Sequence, residues 1–400
     1  MIDKANNAGV RVPRIVFFDE EEEFQFLATE FVPESLEEAL SNASIEVILD
    51  IWKDLKKNVR LLFESEIVHS DIHELNIRIV DNKIVIIDFE EARELKQDCK
   101  FEYSLDYVGK NNKSSLGKFP LADSQEYTIA NNSLLRMRQV FKKYLIPKVR
   151  EYIKECNYDS SNGICITIDH GHSELTYQSI QNKWISVKGQ REQKDNRPKL
   201  IWSVMKQLGI TDEYTLVDVG SNNGLFCREI SRYSEGKIRC IGLEGFHKFN
   251  VLAEALAVME DCDNIEYYDF VCGQDDFDDL NITNHCFMTI CSVWHHIQNK
   301  ASFIEQMKKL DIKYILLEMP VQEECYEGRL WEEEVQRIKE LLGFKGEVVL
   351  GKSHDYHRPL LLLSKDDFDS KLEHKITALA KRTLNSGYFY KVLDKFRWLM

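Results

Sequence analysis

Hydrophobic and polar positions follow two different rhythms in this chain. After residue 213, short apolar runs rich in β-branched and aromatic residues alternate with stretches of helical spacing. Leu216–Val219, Ile238–Leu243, Ile265–Phe270, Phe287–Ser292 and Tyr314–Met319 read as strands. Leu225–Tyr233, Phe249–Met259 and Ser302–Leu310 read as the helices among them. A long helix, Tyr326–Leu342, leads to two closing strands, Val348–Leu350 and Leu360–Leu363. This alternation predicts an α/β fold, a Rossmann-like, mostly parallel sheet of seven strands with helices on both faces.

The first half is less regular. Residues 12–32 read as two strands around an acidic turn, and Leu36–Glu66 as a helical stretch. Two short apolar strands follow, Ile77–Val80 and Ile84–Ile87, joined by Asp81-Asn82-Lys83. Residues 125–155 have helical spacing, whereas Asn157 to Lys199 is polar and irregular and suits an inter-domain connection. The expected organisation is an α+β domain over 1–155, a linker over 156–198, the α/β domain over 199–366 and a helical tail over 367–400.

Four hundred residues are too many for one ordinary core. No apolar run approaches the length that spans a bilayer, and the N-terminus lacks a signal-peptide pattern, so a cytoplasmic location is expected. Net charge of −15 argues against bulk nucleic-acid binding. The ten cysteines form no C-x-x-C pair and read as buried thiols; Cys286, Cys291, His295 and His296 match no common zinc spacing. The balance reverses in residues 371–400, where seven Lys/Arg face two acids among many aromatics. Such a tail suits an anionic membrane surface or a partner helix, or packs as a terminal helix on its own domain.

The segment Ile67–Glu90 places His69, Asp71, Asn76 and Asp88 around the two short strands. Phosphoryl transfer needs a group that orients the attacking hydroxyl and acceptors that hold Mg²⁺. This H-x-D-x-x-x-x-N and D-F spacing resembles the protein-kinase-like superfamily, above all its aminoglycoside, lipopolysaccharide and Bud-type small kinases. The resemblance implies Asp71 as catalytic base, Asn76 and Asp88 as metal ligands, and ATP with Mg²⁺ as cofactors. It makes His69 a brace for the loop and Thr29–Pro33 the adenine-contacting hinge. The family's Gly-rich loop and phosphate-binding lysine have no counterpart in residues 1–28. The expected kinase-like domain over 1–155 therefore lacks most of the N-lobe, either as a truncated form or as a domain that binds nucleotide weakly or not at all, with a non-catalytic scaffold as the alternative.

Between a strand and a helix lies Asp218-Val219-Gly220-Ser221-Asn222-Asn223-Gly224. A small, sharply turned loop there allows close backbone approach to a ligand. Glu244 ends the next strand, where an acid can bind two ribose hydroxyls. The pattern resembles class I methyltransferases over about Lys199 to Lys365. That implies S-adenosylmethionine held by Asp218, Gly220, Ser221, Asn222, Gly224 and Glu244, with Asp269 accepting from the adenine amino group. The G-x-G-x-x-G of NAD enzymes is absent. Cys291-Ser292-Val293-Trp294-His295-His296 resembles the family's S-V-x-H-H-I segment. By that likeness His295 or His296 takes a proton from the acceptor, or one of them packs under the cofactor.

Upstream, Arg191-Glu192 to Arg197 resembles the lead-in of methyltransferases that modify bacterial polysaccharides, as does His357-Arg358-Pro359-Leu360 near the end. Arg191, Arg197 and Arg358 are therefore candidate anion ligands, or else members of surface ion pairs. The domain pair resembles bifunctional kinase–methyltransferases that terminate O-antigen chains, with the order reversed. The resemblance implies a glycan or glycolipid acceptor, phosphorylated by one domain and methylated by the other, at the inner membrane surface. Methylation of a small molecule or RNA beside a pseudokinase scaffold is the competing expectation.

Overall fold

The computed structural model describes residues 1–20, 25–90, 92–94, 125–158, 177–187, 189, 196–280, 282, 284–321, 330–353 and 357–397. The chain forms two compact units, Met1–Tyr152 and Ile153–Met400.

Unit 1 begins with α1 (Ile2–Asn7) and an antiparallel pair, β1 (Ile15–Glu20) and β2 (Gln25–Thr29). The helical stretch expected over 36–66 is two helices, α2 (Leu36–Asn42) and α3 (Ile45–Glu64). The reason is local. Ser35 and Glu38 form a capping box, and Ser44 accepts from the Val47 N–H while Ala43 is extended, so a new helix starts there. β3 (Ile67–Val68), β4 (Ile77–Val80), β5 (Lys83–Ile86) and β6 (Arg93–Glu94) follow; β3 pairs with β6 and β4 with β5. Asp81 and Asn82 both have positive φ, the backbone that a two-residue hairpin requires. α4 (Gln125–Tyr158) closes the unit and carries the division between the two. Ile48, Ile51, Trp52 and Leu55 of α3 are buried, as are Met137, Phe141 and Leu145 of α4, and the Trp52 and Phe141 rings lie 5.0 Å apart.

Unit 2 opens with a small hairpin, β7 (Ile180–Gln181) and β8 (Ser186–Val187), inside the segment expected to be irregular. α5 (Arg197–Gln207) follows, a helix the apolar pattern did not reveal, with Pro198 in its first turn. Then come β9 (Tyr214–Val219), α6 (Leu225–Tyr233), β10 (Arg239–Glu244), α7 (His247–Met259) and β11 (Ile265–Asp269). The second half holds β12 (His285–Cys291), α8 (Lys300–Met307), β13 (Ile312–Glu318) and α9 (Trp331–Leu342). β14 (Gly346–Lys352), β15 (Pro359–Ser364) and α10 (Ser370–Arg397) complete it.

The seven strands lie in the order β11-β10-β9-β12-β13-β15-β14, and β15 alone runs antiparallel to its neighbours. This is the expected Rossmann-like α/β sheet of seven mostly parallel strands. The inner strands β9, β12 and β15 are buried along almost their whole length because both faces are covered, whereas the edge strands β11 and β14 are only partly buried. Val217, Ile241, Met288 and Leu361 enter the core on one face, and Leu216, Cys240, Phe287 and Leu360 the core on the other. In α10, Ile376 and Ala380 join the second core and Thr383 is buried. The first half of the basic tail therefore packs on its own domain; the side chains of 385–400 lie outside the described residues. No described helix is long and apolar enough to cross a membrane.

Candidate functional site

The strand order reverses beside β9, between β10 and β12, and open α/β sheets bind ligands at the carboxyl ends of such strands. The loop that leaves β9 is built for close approach. Gly220 and Ser221 both donate their N–H to the Leu243 carbonyl, at 2.8 and 3.0 Å. Gly220, Asn222 and Gly224 have φ of 71, 51 and 75°, a region that Gly and Asn enter at least cost. Space is as restrictive as φ: a Cβ at Gly220 would meet the Val293 side chain at 2.7 Å, and one at Gly224 would strike the Tyr267 phenol.

Two carboxylates lie under this loop. Asp218 is buried; its Oδ1 accepts from Thr289 Oγ1 at 2.7 Å, and its Oδ2 has no hydrogen-bond partner among the described residues. Burial pushes its carboxyl up to about 7, against the opposing Thr289 bond and Arg197 charge. Glu244 accepts from the Asn222 N–H at 2.8 Å and the Phe246 N–H at 3.2 Å. Burial pushes it to about 7 as well, although those N–H groups favour its charge. Ser221 Oγ, Asn222 Oδ1 and Asn223 Oδ1 are also buried without a partner among the described residues. Native proteins leave few such groups. Four in one six-residue loop fit a polar ligand that supplies the missing bonds.

Asp269 stands at the end of β11, half exposed, where it accepts from Asn250 Nδ2 and lies against His247 Nδ1, both at 2.7 Å. Phe246 and Val271 expose apolar surface, 38% and 40%, at the residues following Glu244 and Asp269. Sequence reasoning passed over both, along with Asn223 and Thr289. Their only signal was their position just beyond or beside the strand ends.

On the other side of the reversal, Ser292 has a φ of 62° and leads into a 3₁₀ turn, Trp294–His296. The rings of His295 and His296 lie 4.0 Å apart, while Trp294 points inward and donates to Glu334 at 3.2 Å. Arg197 departs from the expectation of an open anion ligand. Its guanidinium is buried against Glu318, which is buried as well, and it also donates to Ser292 Oγ at 3.4 Å. A cation so paired is already neutralised, and exposing it would strand the Glu318 charge. Arg358 is buried too, with its backbone N–H on Ser353 Oγ. Arg191 lies outside the described residues. Glu318 was legible in principle: like Glu244, it is an acid that ends an apolar strand.

Unit 1 gathers its predicted residues at the open end of the β4–β5 hairpin. Asn76 Nδ2 donates to both the Asp71 carbonyl and Asp71 Oδ2, at 3.1 and 3.0 Å. With its nitrogen held there, the amide oxygen of Asn76 is the end left to bind a cation. Ile87 donates to the Asn76 carbonyl, so Asp88 begins beside it, exposed and with a φ of 61°. His69 donates from Nε2 to the Ile87 carbonyl at 3.0 Å and packs edge-on to Phe89. Burial holds its imidazole below the usual range. His73, which sequence reasoning omitted, accepts from the Leu75 N–H at Nδ1 and faces Asp71 Oδ2 at 3.3 Å through Nε2.

Residues 1–103 match the family described as RIO domain, so the N-terminal part is kinase-like, as its H-x-D-x-x-x-x-N and D-F spacing implies. Several solved structures resemble part of the chain. The bifunctional kinase–methyltransferase WbdD is 18% identical, with a TM-score of 0.32 over 42% of this chain and 39% of that one. A SAM-dependent methyltransferase from Aquifex aeolicus is 19% identical, with a TM-score of 0.32 over 42% and 88%. The N-terminal domain of EvdMO1, solved with SAH and D-fucose, is 14% identical, with a TM-score of 0.37 over 48% and 91%. The match thus spans about two-fifths of WbdD. No curated protein matches the chain.

Proposed function

We propose that unit 2 is a SAM-dependent methyltransferase whose acceptor is a phosphorylated glycan or glycolipid of surface polysaccharide synthesis. In this reading unit 1 is a kinase-like domain that uses ATP and Mg²⁺ to place the phosphate. The observation that carries the methyltransferase assignment is the run of buried acceptors from Asp218 to Asn223 that lack a partner among the described residues. Bound S-adenosylmethionine would supply an electrophilic methyl group on its sulfonium. Glu244 suits the ribose hydroxyls, because its two oxygens are already oriented by the Asn222 and Phe246 N–H groups. Asp269 suits the adenine amino group, with Phe246 and Val271 offering apolar faces to the ring. Asp218 Oδ2 and Asn223 Oδ1 suit the donor's cationic end.

A phosphate oxygen is already anionic near neutral pH, so its methylation needs positioning more than a strong base. His295 and His296 would orient that oxygen, and one of them would take the proton if the acceptor were a hydroxyl. Arg358, and on the sequence alone Arg191, are the anion ligands in this reading; Arg197 supports Ser292 from behind. The basic end of α10 would bring the protein to the inner membrane surface. In unit 1, Asp71 would orient the attacking hydroxyl while Asn76 and Asp88 hold Mg²⁺.

Calorimetry tests both units. S-adenosylmethionine should bind the wild-type protein and fail to bind Glu244→Ala; equal binding by the two would remove the assignment. ATP titrated with Mg²⁺ should bind through Asp88. A flat titration would instead favour a scaffold role for unit 1 beside a methyltransferase for a small molecule or RNA.

A further inference from the structure

The hairpin ahead of α5 is too small to be stable alone, yet it is firmly attached to unit 2. Ile180 and Ile185 are buried. Asn182 makes its turn, accepting from the Trp184 and Ile185 N–H groups at 3.0 and 2.8 Å through Oδ1. The nitrogen of the same amide donates to Glu260 Oε1 at 2.9 Å, at the end of α7. Glu260 in turn pairs with the buried Arg228 of α6, the helix that starts at the donor loop. One end of the strap is thereby pinned to both helices that flank β10.

The other end reaches the loop itself. Asn223 Nδ2 donates to the Gln178 carbonyl at 3.2 Å, and Asn223 is 1% exposed. An amide is planar, so holding its nitrogen fixes where Oδ1 points, and that oxygen is the partnerless one. Gly189 crosses the Gln178–Ser179 peptide so closely that a Cβ would overlap its backbone, and its N–H donates to Ser179 Oγ at 2.9 Å. The peptide whose carbonyl holds Asn223 is therefore itself packed against Gly189 and tied to it through the Ser179 hydroxyl. The loop neighbour Asn222 carries the N–H that orients Glu244, so the strap, Asn223, Asn222 and Glu244 form one continuous chain of contacts.

We propose that the strap over Tyr177–Val187, closed by Gly189, is a positioning element of the donor crevice. It acts through Asn223 and is anchored by Asn182, so that strap docking and donor binding favour each other. This rests on the methyltransferase reading of the crevice. Coupling of this sort is reciprocal: a docked strap tightens donor binding, and bound donor protects the strap.

The test uses the full chain with S-adenosylmethionine as probe. Asn182→Asp keeps the turn-forming oxygen but sets a carboxylate against Glu260, so the hairpin can form while its anchor is repelled. Donor affinity should fall about tenfold, within the usual range of coupling between sites. The exchange N182D/E260Q restores a donor–acceptor contact with one negative charge still beside Arg228, and it should recover most of the affinity. In hydrogen exchange, saturating donor should slow the amides of 180–187 in the wild type and much less in Asn182→Asp. Wild-type affinity in Asn182→Asp, or strap amides indifferent to donor, would overturn the strap proposal alone. Failure of the wild-type chain to bind donor would overturn the methyltransferase reading and this inference together.

Discussion

The two candidate sites use carboxylates in opposite ways. In unit 1, Asp71 is about half exposed and Asp88 is exposed, and Asp71 already has Asn76 and His73 as partners. In unit 2, Asp218 and Glu244 are buried, and burial pushes both up to about 7. A carboxylate at a water-lined surface remains charged at little cost and suits a hydrated metal ion. A buried one with an open oxygen is costly until a ligand completes its bonds. The first site can exist without its ligand; the second is strained by the lack of one. Donor binding should therefore change the stability of unit 2 more than nucleotide binding changes that of unit 1.

The largest effect expected is on the buried side. If Glu244 binds the donor's ribose as proposed, Glu244→Ala removes two charge-assisted bonds to it and leaves the Asn222 and Phe246 N–H groups without that acceptor. Calorimetry should show a donor affinity at least about 100-fold weaker, since each bond to a charged group is worth about 1.5–3 kcal/mol. Next is Gly224→Ala. Its Cβ must fit a φ of 75° and displace the Tyr267 phenol, so thermal unfolding should show a loss of about 2–4 kcal/mol.

Arg197→Met tests whether that arginine is structural. Alone it strands the buried Glu318 charge and should cost about 3–5 kcal/mol, whereas R197M/E318L should recover most of it. An anion ligand facing solvent would show neither the large loss nor the recovery in denaturant titrations.

A smaller effect concerns pH. Because the folded-state carboxyls of Asp218 and Glu244 lie above their unfolded values, the native state holds more protons between the usual carboxylate range and about pH 7. The stability they permit is fullest at low pH and declines as pH rises through about 7. Scanning fluorimetry of donor-free protein should show that slope, and Asp218→Asn should flatten it. Donor that binds the ionised forms should flatten it too, and a slope indifferent to donor would erase the contrast between the two sites. The smallest effect is in unit 1, where Asp88→Asn should abolish Mg²⁺-dependent ATP binding while shifting the melting temperature by less than about 2 °C, as exposed substitutions do.

The sequence alone determined the sheet, because seven apolar runs at regular spacing can be buried only between two layers of helices. It also determined where the donor loop bends, since Gly220, Asn222 and Gly224 occupy the φ values their side chains allow. Asn76 beside Asp71 was legible from their five-residue spacing, and the return of the chain to Asn76 just before Asp88 from the two-residue hairpin between them. What the tertiary structure decided is each partnership between elements distant in sequence. Arg197 and Glu318 are 121 residues apart in sequence, and only the docking of α5 on the strand ends makes them a buried pair. The same holds for Asn182 with Glu260 and for Asn223 with Gln178. A charge on its own reads as a ligand for something outside the chain; whether the chain itself neutralises it depends on contacts that no local pattern records.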